Sequence, residues 1–301
     1  MSGTLWAVTA GLGFGVFQSV NRRGVSNMNV YLATFVQLVA SFIVLGGISL
    51  ATEDLSELGR VSFSTILNFA AAGFFHFFLG WTFLNASQKR IGAARTSPLI
   101  GTTPLFATVI AALTLREFPS SLALLGIGLI VIGAYVISRW SDNSNSAAIA
   151  ALPKEIGWRA SWLGLGAAFC WALSPIFIRK GLAELPSPLL GLTVGIAASA
   201  LGYGILLLFQ PQHRGIADIT GEAWFFKVLA GLLVGLSTWA RWIALDLAPV
   251  AIVLALTMIS TPVVILISPY VVGKHLEQIT ATLWAGAGLI IGGALMLTFY
   301  S

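Results

Sequence analysis

The chain has 301 residues, of which 57% are hydrophobic and only 9% are charged. A soluble domain carries about 25% charged residues, so this composition excludes an ordinary soluble protein and predicts a membrane protein. The 16 Lys and Arg residues outnumber the 11 Asp and Glu residues, for a formal net charge of +5. Because these charges are shared among short segments between apolar runs, they form no nucleic-acid-binding patch, and nucleic acid is excluded as a partner.

Long apolar runs follow one another along the chain, and each can hold the roughly 20 residues that cross a bilayer as a helix. The charge-free stretches are residues 1–21, 24–52, 61–88, 96–115, 118–138, 160–178, 185–213, 247–273 and 278–301. A tenth apolar stretch, about residues 224–246, carries Arg241 and Asp246 near its C-terminal end. A β-barrel would instead show alternation over about 10 residues. The predicted fold is therefore an all-α polytopic membrane protein with ten transmembrane helices in the lipid bilayer.

The first predicted span is expected to be a retained helix and not a cleaved signal peptide. It lacks a basic N-terminal segment, and Arg22 and Arg23 follow it. The single cysteine, Cys170, lies within the sixth span, so no intrachain disulfide is expected.

The two halves of the chain are similar to each other. GIGLIVIGAYVI from Gly126 aligns without a gap with GAGLIIGGALML from Gly286. The other matched positions, at offsets of 157 or 158, are Thr103-Pro104 with Thr261-Pro262, Trp81 with Trp239, and Arg22-Arg23-Gly24 with Arg179-Lys180-Gly181. Five spans per half place the second copy upside down relative to the first, which is the usual frame of secondary transporters. The predicted units are a five-helix repeat in residues 1–140, a polar linker in residues 141–156 and a second, inverted five-helix repeat in residues 157–301.

These features resemble the EamA type of the drug/metabolite transporter superfamily. The resemblance rests on the two five-helix repeats, the Thr-Pro of the fourth and ninth spans, the closing glycine-rich helices and the aromatic, glycine-rich first helix of each half. It implies a ten-helix transporter whose central cavity is walled by spans one to four and six to nine. It also implies small metabolites, such as amino acids, as the substrates.

The distribution of basic residues predicts that both termini face outward. The loops on the side opposite the termini, to which we assign Lys227, hold more Lys and Arg than the loops on the terminal side. The positive-inside rule places the side with more Lys and Arg in the cytoplasm. Members of the resembled family more often have both termini in the cytoplasm, so the two indications disagree.

His76 is the most conspicuous polar residue within a predicted span. It lies in the sequence FFHFF, near the middle of a long apolar stretch. An ionisable side chain at this depth costs a few kcal/mol and is a functional candidate by default. Two interpretations stay open: a substrate-binding or proton-titrating imidazole, or a neutral imidazole that is bonded to a neighbouring helix.

Arg241 and Asp246 lie near the end of the eighth predicted span. Their separation of five residues places them about 140° apart on a helix, so they do not form a facing pair. Arg241 stands between Trp239 and Trp242, a setting that suits capture of a carboxylate-bearing substrate with cation–π support. The alternative is an interfacial anchor within a tryptophan belt.

Further candidates are uncharged polar residues and prolines within the predicted spans. The polar candidates are Gln18, Gln37, Asn85, Thr102, Thr103, Thr257, Ser260 and Thr261, and hydroxyl groups of this kind also bind helices together. The predicted helix kinks are Pro104, Pro175 and Pro262, with Trp171 and Ser174 beside Pro175. We place these residues at the cavity wall, and helix packing alone is the rival explanation.

The sequence contains no GxxxxGK[ST] motif, so transport would draw on a proton or ion gradient or proceed as uniport. The multidrug relatives depend on a carboxylate in the first helix, whereas the first acidic residue here is Glu53, which argues against drug efflux. An intramembrane enzyme and a receptor are the rival classes, but no HExxH motif and no mid-span acidic pair is present. We therefore expect a secondary transporter in the plasma membrane, an exporter of small metabolites, with no catalytic residues, no metal and no cofactor.

Overall fold

The computed structural model describes residues 2–114, 120–140, 154–209, 219–273 and 281–300. Every regular element in these described ranges is helical. The helices of the first half are α1 (Gly3–Val25), α2 (Val30–Thr52), a 3-10 turn (Leu55–Gly59), α3 (Phe63–Gly73), a π-helical turn (Phe74–Gly80), α4 (Trp81–Ile91), α5 (Ala93–Ile100), α6 (Thr103–Thr114) and α7 (Ser121–Trp140). Those of the second half are α8 (Lys154–Leu182), α9 (Pro188–Leu208), α10 (Gly221–Leu247), α11 (Val250–Thr257), α12 (Ser260–Val271) and α13 (Ala281–Tyr300).

Several of these helices are long and apolar enough to cross a membrane. Six such segments occur within the described ranges: Val30–Thr52, Phe63–Ile91, Trp162–Leu182, Pro188–Leu208, Gly221–Leu247 and Ile252–Val271. Each covers at least the ~30 Å of a hydrocarbon core at 1.5 Å per residue. The protein is thus a multi-pass helical membrane protein, and the figure of ten crossings stays a prediction.

The third long helix is continuous from Phe63 to Ile91, but its middle is wound differently. Residues Phe74–Gly80 form a π-helical turn between α3 and α4. A π turn inserts one extra residue per turn and leaves backbone carbonyls outside the regular hydrogen-bond ladder, and such turns are frequent at functional sites. His76 is the central polar residue of this turn.

Two helices are interrupted close to the predicted prolines. α5 ends at Ile100 and α6 begins at Thr103, so Pro104 lies in the first turn of α6. Pro262 likewise lies in the first turn of α12, after a break that follows α11. Proline fits the first turn of a helix because the N–H that it lacks has no acceptor there. These two positions therefore begin new helices after a break, whereas Pro175 lies inside the continuous helix α8.

The helices of the two halves contact each other in a pattern that repeats. α1 packs along α10, α8 packs along α3 and α4, and α2 packs against α9. α7 and α13 pack together through their glycines: a Cβ atom at Gly133 would lie 2.6 Å from the carbonyl oxygen of Gly286, and one at Gly293 would clash with the carbonyl oxygen of Gly126. Because an early residue of each helix meets a late residue of the other, α7 and α13 run antiparallel.

One carboxylate fastens the start of α3 to the second half of the chain. Glu184 accepts hydrogen bonds from the backbone N–H of Ser62 at 2.6 Å, from the Ser62 hydroxyl at 2.6 Å and from the hydroxyl of Thr65. The hydrogen bonds from the side chains of Ser62 and Thr65 lower the pKa of Glu184 below its ordinary value.

We expect this contact to stabilise the folded protein above the ordinary pKa of a glutamate and to lose its effect as the pH falls through the lowered pKa. A carboxylate whose pKa is lower in the folded state than in the unfolded state binds its proton preferentially in the unfolded state. Glu184→Gln should lower the melting temperature at pH 7 and should flatten its decline on acidification. Glu57→Gln, at a half-buried carboxylate in the 3-10 turn Leu55–Gly59, is the control. Identical pH profiles for Glu184→Gln and the unmodified protein would contradict the expectation.

Candidate functional site

A cavity lies between the two halves of the chain, at the level of the π turn. It is walled by α1, α10 and α8, by the π turn and α4, and by the interrupted helices around Ile100 and Met258. The residues that line it are Phe14, Phe17, Gln18, His76, Trp81, Ile100, Thr103, Trp171, Val234, Arg241, Leu254, Thr257, Met258 and Ser260. The cavity is therefore largely aromatic and aliphatic, with a few polar groups that converge, as in small-molecule sites.

His76 and Arg241 contact each other at the wall of this cavity. Arg241 Nη2 lies 2.9 Å from His76 Nδ1 and 3.3 Å from His76 Nε2. A guanidinium group only donates hydrogen bonds, so the imidazole nitrogen that it faces acts as the acceptor. The hydroxyl of Ser174 lies 3.1 Å from the same Nδ1 atom. Residues that are far apart in sequence and that were predicted separately thus form one polar group.

The aromatic ring of Trp171 supports the π turn. It stacks on the His76 ring with centroids 5.4 Å apart, and its Nε1 donates a hydrogen bond of 3.1 Å to the backbone oxygen of His76. This carbonyl belongs to the π turn, where the regular ladder is interrupted. Gly80 leaves the space that the indole occupies, since a Cβ atom there would clash with Trp171 Nε1.

We expect Trp171→Phe to keep the ring stacking but to destabilise the protein, because the hydrogen bond from the indole to the buried carbonyl of His76 is lost. A hydrogen bond of this kind contributes about 0.5–1.5 kcal/mol to stability. Thermal unfolding in detergent measures this loss, and Trp162→Phe, at a tryptophan that is 55% exposed, is the control. Equal melting temperatures for Trp171→Phe and the control would show that the hydrogen bond contributes nothing.

Arg241 is a buried cation with unused hydrogen-bonding capacity. The residue is 3% exposed, its Nε atom has no hydrogen-bond partner, and its guanidinium carbon lies 5.8 Å from the ring centroid of Phe14. No Asp or Glu is among the described residues that line the cavity. Gln18 adds a buried Oε1 atom that lacks a donor. The free N–H of the cation suits a carboxylate or carbonyl group of a ligand, and the free acceptor suits a donor group of the same ligand, such as an ammonium.

The remaining predicted site residues divide between the cavity wall and other places. Gln18, Thr257 and Ser260 line the cavity, and Thr103, from the wider set of candidates, lines it as well. The predicted site residues outside the lining are Ser174, which contacts His76, and Gln37, Thr102, Trp239 and Trp242. Trp242 is completely buried with its ring centroid 5.9 Å from that of Phe69, so it packs the helices together. The hydroxyl of Thr102 donates a hydrogen bond of 2.7 Å to the backbone oxygen of Leu99, next to the interruption between α5 and α6.

A second group of buried polar side chains surrounds Lys227, and the sequence did not predict that these residues lie together. The prediction that Lys227 is a loop charge is wrong, because the residue lies inside α10 and is 0% exposed. Its Nζ donates hydrogen bonds to Gln37 Oε1 at 2.6 Å, to Asn85 Oδ1 at 3.1 Å and to Asn21 Oδ1. We call Asn21, Gln37 and Asn85 the amide cage. α10 begins at Gly221 because Thr220 caps it. The apolar neighbours of Lys227, in WFFKVLAG, were the signal that it is buried.

These helices, the cavity between the two halves and its buried polar groups define a multi-pass membrane protein of the transporter class. A family model described as the EamA-like transporter family matches the chain twice, over residues 1–139 and 158–299. The chain belongs to this family, which is part of the drug/metabolite transporter superfamily.

Two curated relatives also carry the name of transporter. A riboflavin transporter of Vibrio cholerae is 26% identical over 321 aligned positions, covering 99% of this chain and 93% of the relative. An uncharacterized transporter in the cobO 3′ region of Sinorhizobium sp is 29% identical over 139 residues, covering 46% of this chain and 95% of the relative. A crystal structure of another protein superposes with a TM-score of 0.72 at 19% identity, covering 98% of this chain and 96% of that one, which supports the fold.

Proposed function

We propose that the protein is a secondary transporter that exports small metabolites with a carboxylate or carbonyl group on an apolar body, such as amino acids. The observation that carries this proposal is Arg241, a buried guanidinium with a free Nε at a cavity whose described lining holds no carboxylate. A buried charge without a counter-ion is costly, and a ligand with a negative charge or a strong acceptor relieves that cost. An organic cation would meet the opposite electrostatic environment, so we rank drug efflux below metabolite transport.

A flat heteroaromatic substrate is the second candidate, because the cavity is rich in rings. Phe14, Phe17, Trp81 and Trp171 line it, and the indole of Trp171 already stacks on the His76 imidazole. Flat rings stack on such side chains with a gain of about 0.5–1.5 kcal/mol per pair beyond the area buried. The relative from Vibrio cholerae is named a riboflavin transporter. A flavin would combine a stacking ring with carbonyl oxygens for Arg241.

We further propose that transport proceeds by alternating access between two inverted repeats. The antiparallel contact of α7 with α13 supports the inversion, since two helices related by a two-fold axis in the membrane plane run in opposite directions. The cavity lies between residues of the two segments that the family model matches. A proton or ion gradient across the plasma membrane would supply the energy.

The test is solute exchange in proteoliposomes that contain the purified full-length chain. Labelled amino acids, riboflavin and a quaternary ammonium compound are offered in turn, with and without an imposed pH gradient. We expect saturable exchange of an amino acid or of riboflavin whose half-saturating concentration Arg241→Met raises by tenfold or more and Asp246→Asn, an exposed change on the same helix, leaves unchanged. Exchange restricted to the quaternary ammonium compound would overturn the substrate assignment. Exchange that Arg241→Met does not affect would overturn the assignment of the cavity.

A further inference from the structure

The amide cage around Lys227 lies next to the cavity, on the side where α1 and α4 end. Along α1, Gln18 lines the cavity and Asn21 follows three residues later. Along α4, Trp81 lines the cavity and Asn85 follows four residues later. One helical turn rises about 5.4 Å, so the cage forms the layer directly beyond the cavity on both helices. A solute that leaves the cavity along α1 and α4 toward this end would meet the cage.

At the level of the cage the two halves of the chain are in backbone contact. A Cβ atom on Gly24 of α1 would lie only 2.9 Å from the backbone nitrogen of Lys227 on α10. Asn21, Gln37, Asn85 and Lys227 are each 0% exposed. The cavity is therefore closed at this end in the present conformation.

The oxygens of the cage all come from the first half of the chain, and the cation comes from the second. Asn21, Gln37 and Asn85 belong to α1, α2 and α4, whereas Lys227 belongs to α10. The cage also holds itself together: Asn21 Nδ2 donates to Asn85 Oδ1 at 2.8 Å, and Asn85 Nδ2 donates to Thr34 Oγ1 at 2.8 Å. Its oxygens are therefore fixed toward one point by bonds within the first half.

Three convergent amide oxygens bind a monovalent cation by replacing its hydration shell, and a lysine ammonium is such a cation on a tether. We propose that the amide cage is a monovalent-cation site that Lys227 fills from the opposite half, and that its filling closes the cavity at this end. Opening requires the ammonium to leave the cage. This inference rests on the proposed transport function, because a gate has a purpose only where a solute passes.

The test measures access to the cavity and needs no knowledge of the substrate. Cys170 is replaced by alanine, and Ser260→Cys on the cavity wall supplies the reporter thiol. A membrane-impermeant maleimide is then applied to the full-length protein in vesicles of each orientation. We expect Lys227→Ala to raise the labelling rate from one face by about tenfold or more, because hydrogen bonds to a charged group are lost. Thr238→Ala, a buried change on the same helix, is the control and should leave the rate unchanged.

Chemical rescue tests the cation site itself. Lys227→Ala removes the equivalent of propylammonium, so added propylammonium, Na⁺ or K⁺ should restore the slow labelling rate. Tetramethylammonium, which has no N–H to donate, and n-propanol, which has no charge, should not. Three results overturn the proposal: unchanged labelling in Lys227→Ala, an equal increase from both faces, or an increase that none of the small cations reverses.

A second variant covers the case in which Lys227→Ala does not fold. Gln37→Leu removes one cage oxygen and keeps the ammonium, and it should give a smaller one-sided increase in labelling. Labelling of Gln37→Leu at the unmodified rate counts against the gate. The labelling experiment and the transport experiment can fail independently. If Lys227→Ala opens the cavity but the protein exchanges neither amino acids nor riboflavin, the gate is supported and only the substrate assignment is wrong.

Discussion

Arg241→Met should weaken substrate binding by roughly tenfold to hundredfold and at the same time raise the melting temperature of the protein. The guanidinium is buried, its Nε has no partner, and its acceptor in the protein is a His76 nitrogen and not a carboxylate. A charge-assisted hydrogen bond to a ligand contributes about 1.5–3 kcal/mol, which corresponds to roughly a tenfold to hundredfold change in dissociation constant. A buried charge without a counter-ion instead costs stability, and an apolar side chain of similar length removes that cost.

The opposite signs of the two effects distinguish a binding residue from a structural one. Ligand-induced thermal stabilisation reports both quantities in one experiment, since a ligand at 100 times its dissociation constant adds about 2.7 kcal/mol of stability. We expect Arg241→Met to melt higher than the unmodified protein without ligand and to gain only about 0.4–1.4 kcal/mol from the same ligand concentration. Asp246→Asn should follow the unmodified protein in both respects. An Arg241→Met protein that melts lower and gains as much stability from the ligand as the unmodified protein would show that Arg241 holds helices together.

The buried centre of the site could be predicted from the sequence because single residues carried the signal. His76 stands in FFHFF and Arg241 lies between two tryptophans, and a polar side chain in such surroundings is conspicuous in one dimension. Their direct contact could not be predicted, since it depends on how α10 packs against the π turn. The π turn itself has no marker in the sequence, because it contains neither proline nor a polar run apart from His76.

The amide cage was missed for a different reason. Gln37 and Asn85 were candidates as single residues, but nothing in the sequence joined them to each other, to Asn21 or to Lys227, which lie within two turns of a helix end. Lys227 and Arg241 lie on the same helix, 14 residues and about 21 Å apart. The two buried cations of α10 therefore lie at different depths, Arg241 at the cavity and Lys227 at the amide cage. Only the convergence of α1, α2 and α4 on Lys227 distinguishes it from an interfacial lysine. Sequence spacing cannot supply this, because the contacts join residues that are more than 140 positions apart.

The prolines show a third kind of difference. The sequence pattern predicts helix kinks at Pro104 and Pro262. In the structure each helix is interrupted a few residues earlier, so that each proline lies in the first turn of the helix that follows. The two prolines occupy matching positions in the two repeats, and the two helix interruptions do so as well. Residues beside both breaks, Ile100 and Met258, line the cavity. Interrupted helices at a central site are a recurrent feature of secondary transporters.

Alanine substitutions in α7 and α13 should separate two pairs of repeat-matched glycines by their effect on stability. Gly133→Ala and Gly293→Ala should each destabilise the protein by about 1–3 kcal/mol, because the new methyl group would meet a backbone oxygen of the other helix, which cannot move aside as a side chain can. Gly128→Ala and Gly288→Ala should cost nothing and gain up to about 1 kcal/mol, because nothing lies within 4 Å of either position and alanine favours the helix.

The four glycine variants also test the inverted repeat, because the stability costs at matching positions of the two repeats can be compared. Gly133 pairs with Gly293 and Gly128 with Gly288 at the same offset of 160 residues, so an inverted two-fold arrangement requires equal costs within each pair. Melting temperatures of the four variants in one detergent measure this directly. A cost at Gly133 without a matching cost at Gly293, or a cost at Gly128 as large as that at Gly133, would be incompatible with the antiparallel contact. Equal costs within the pairs would support a repeat-matched, antiparallel contact of α7 with α13, as inverted repeats require.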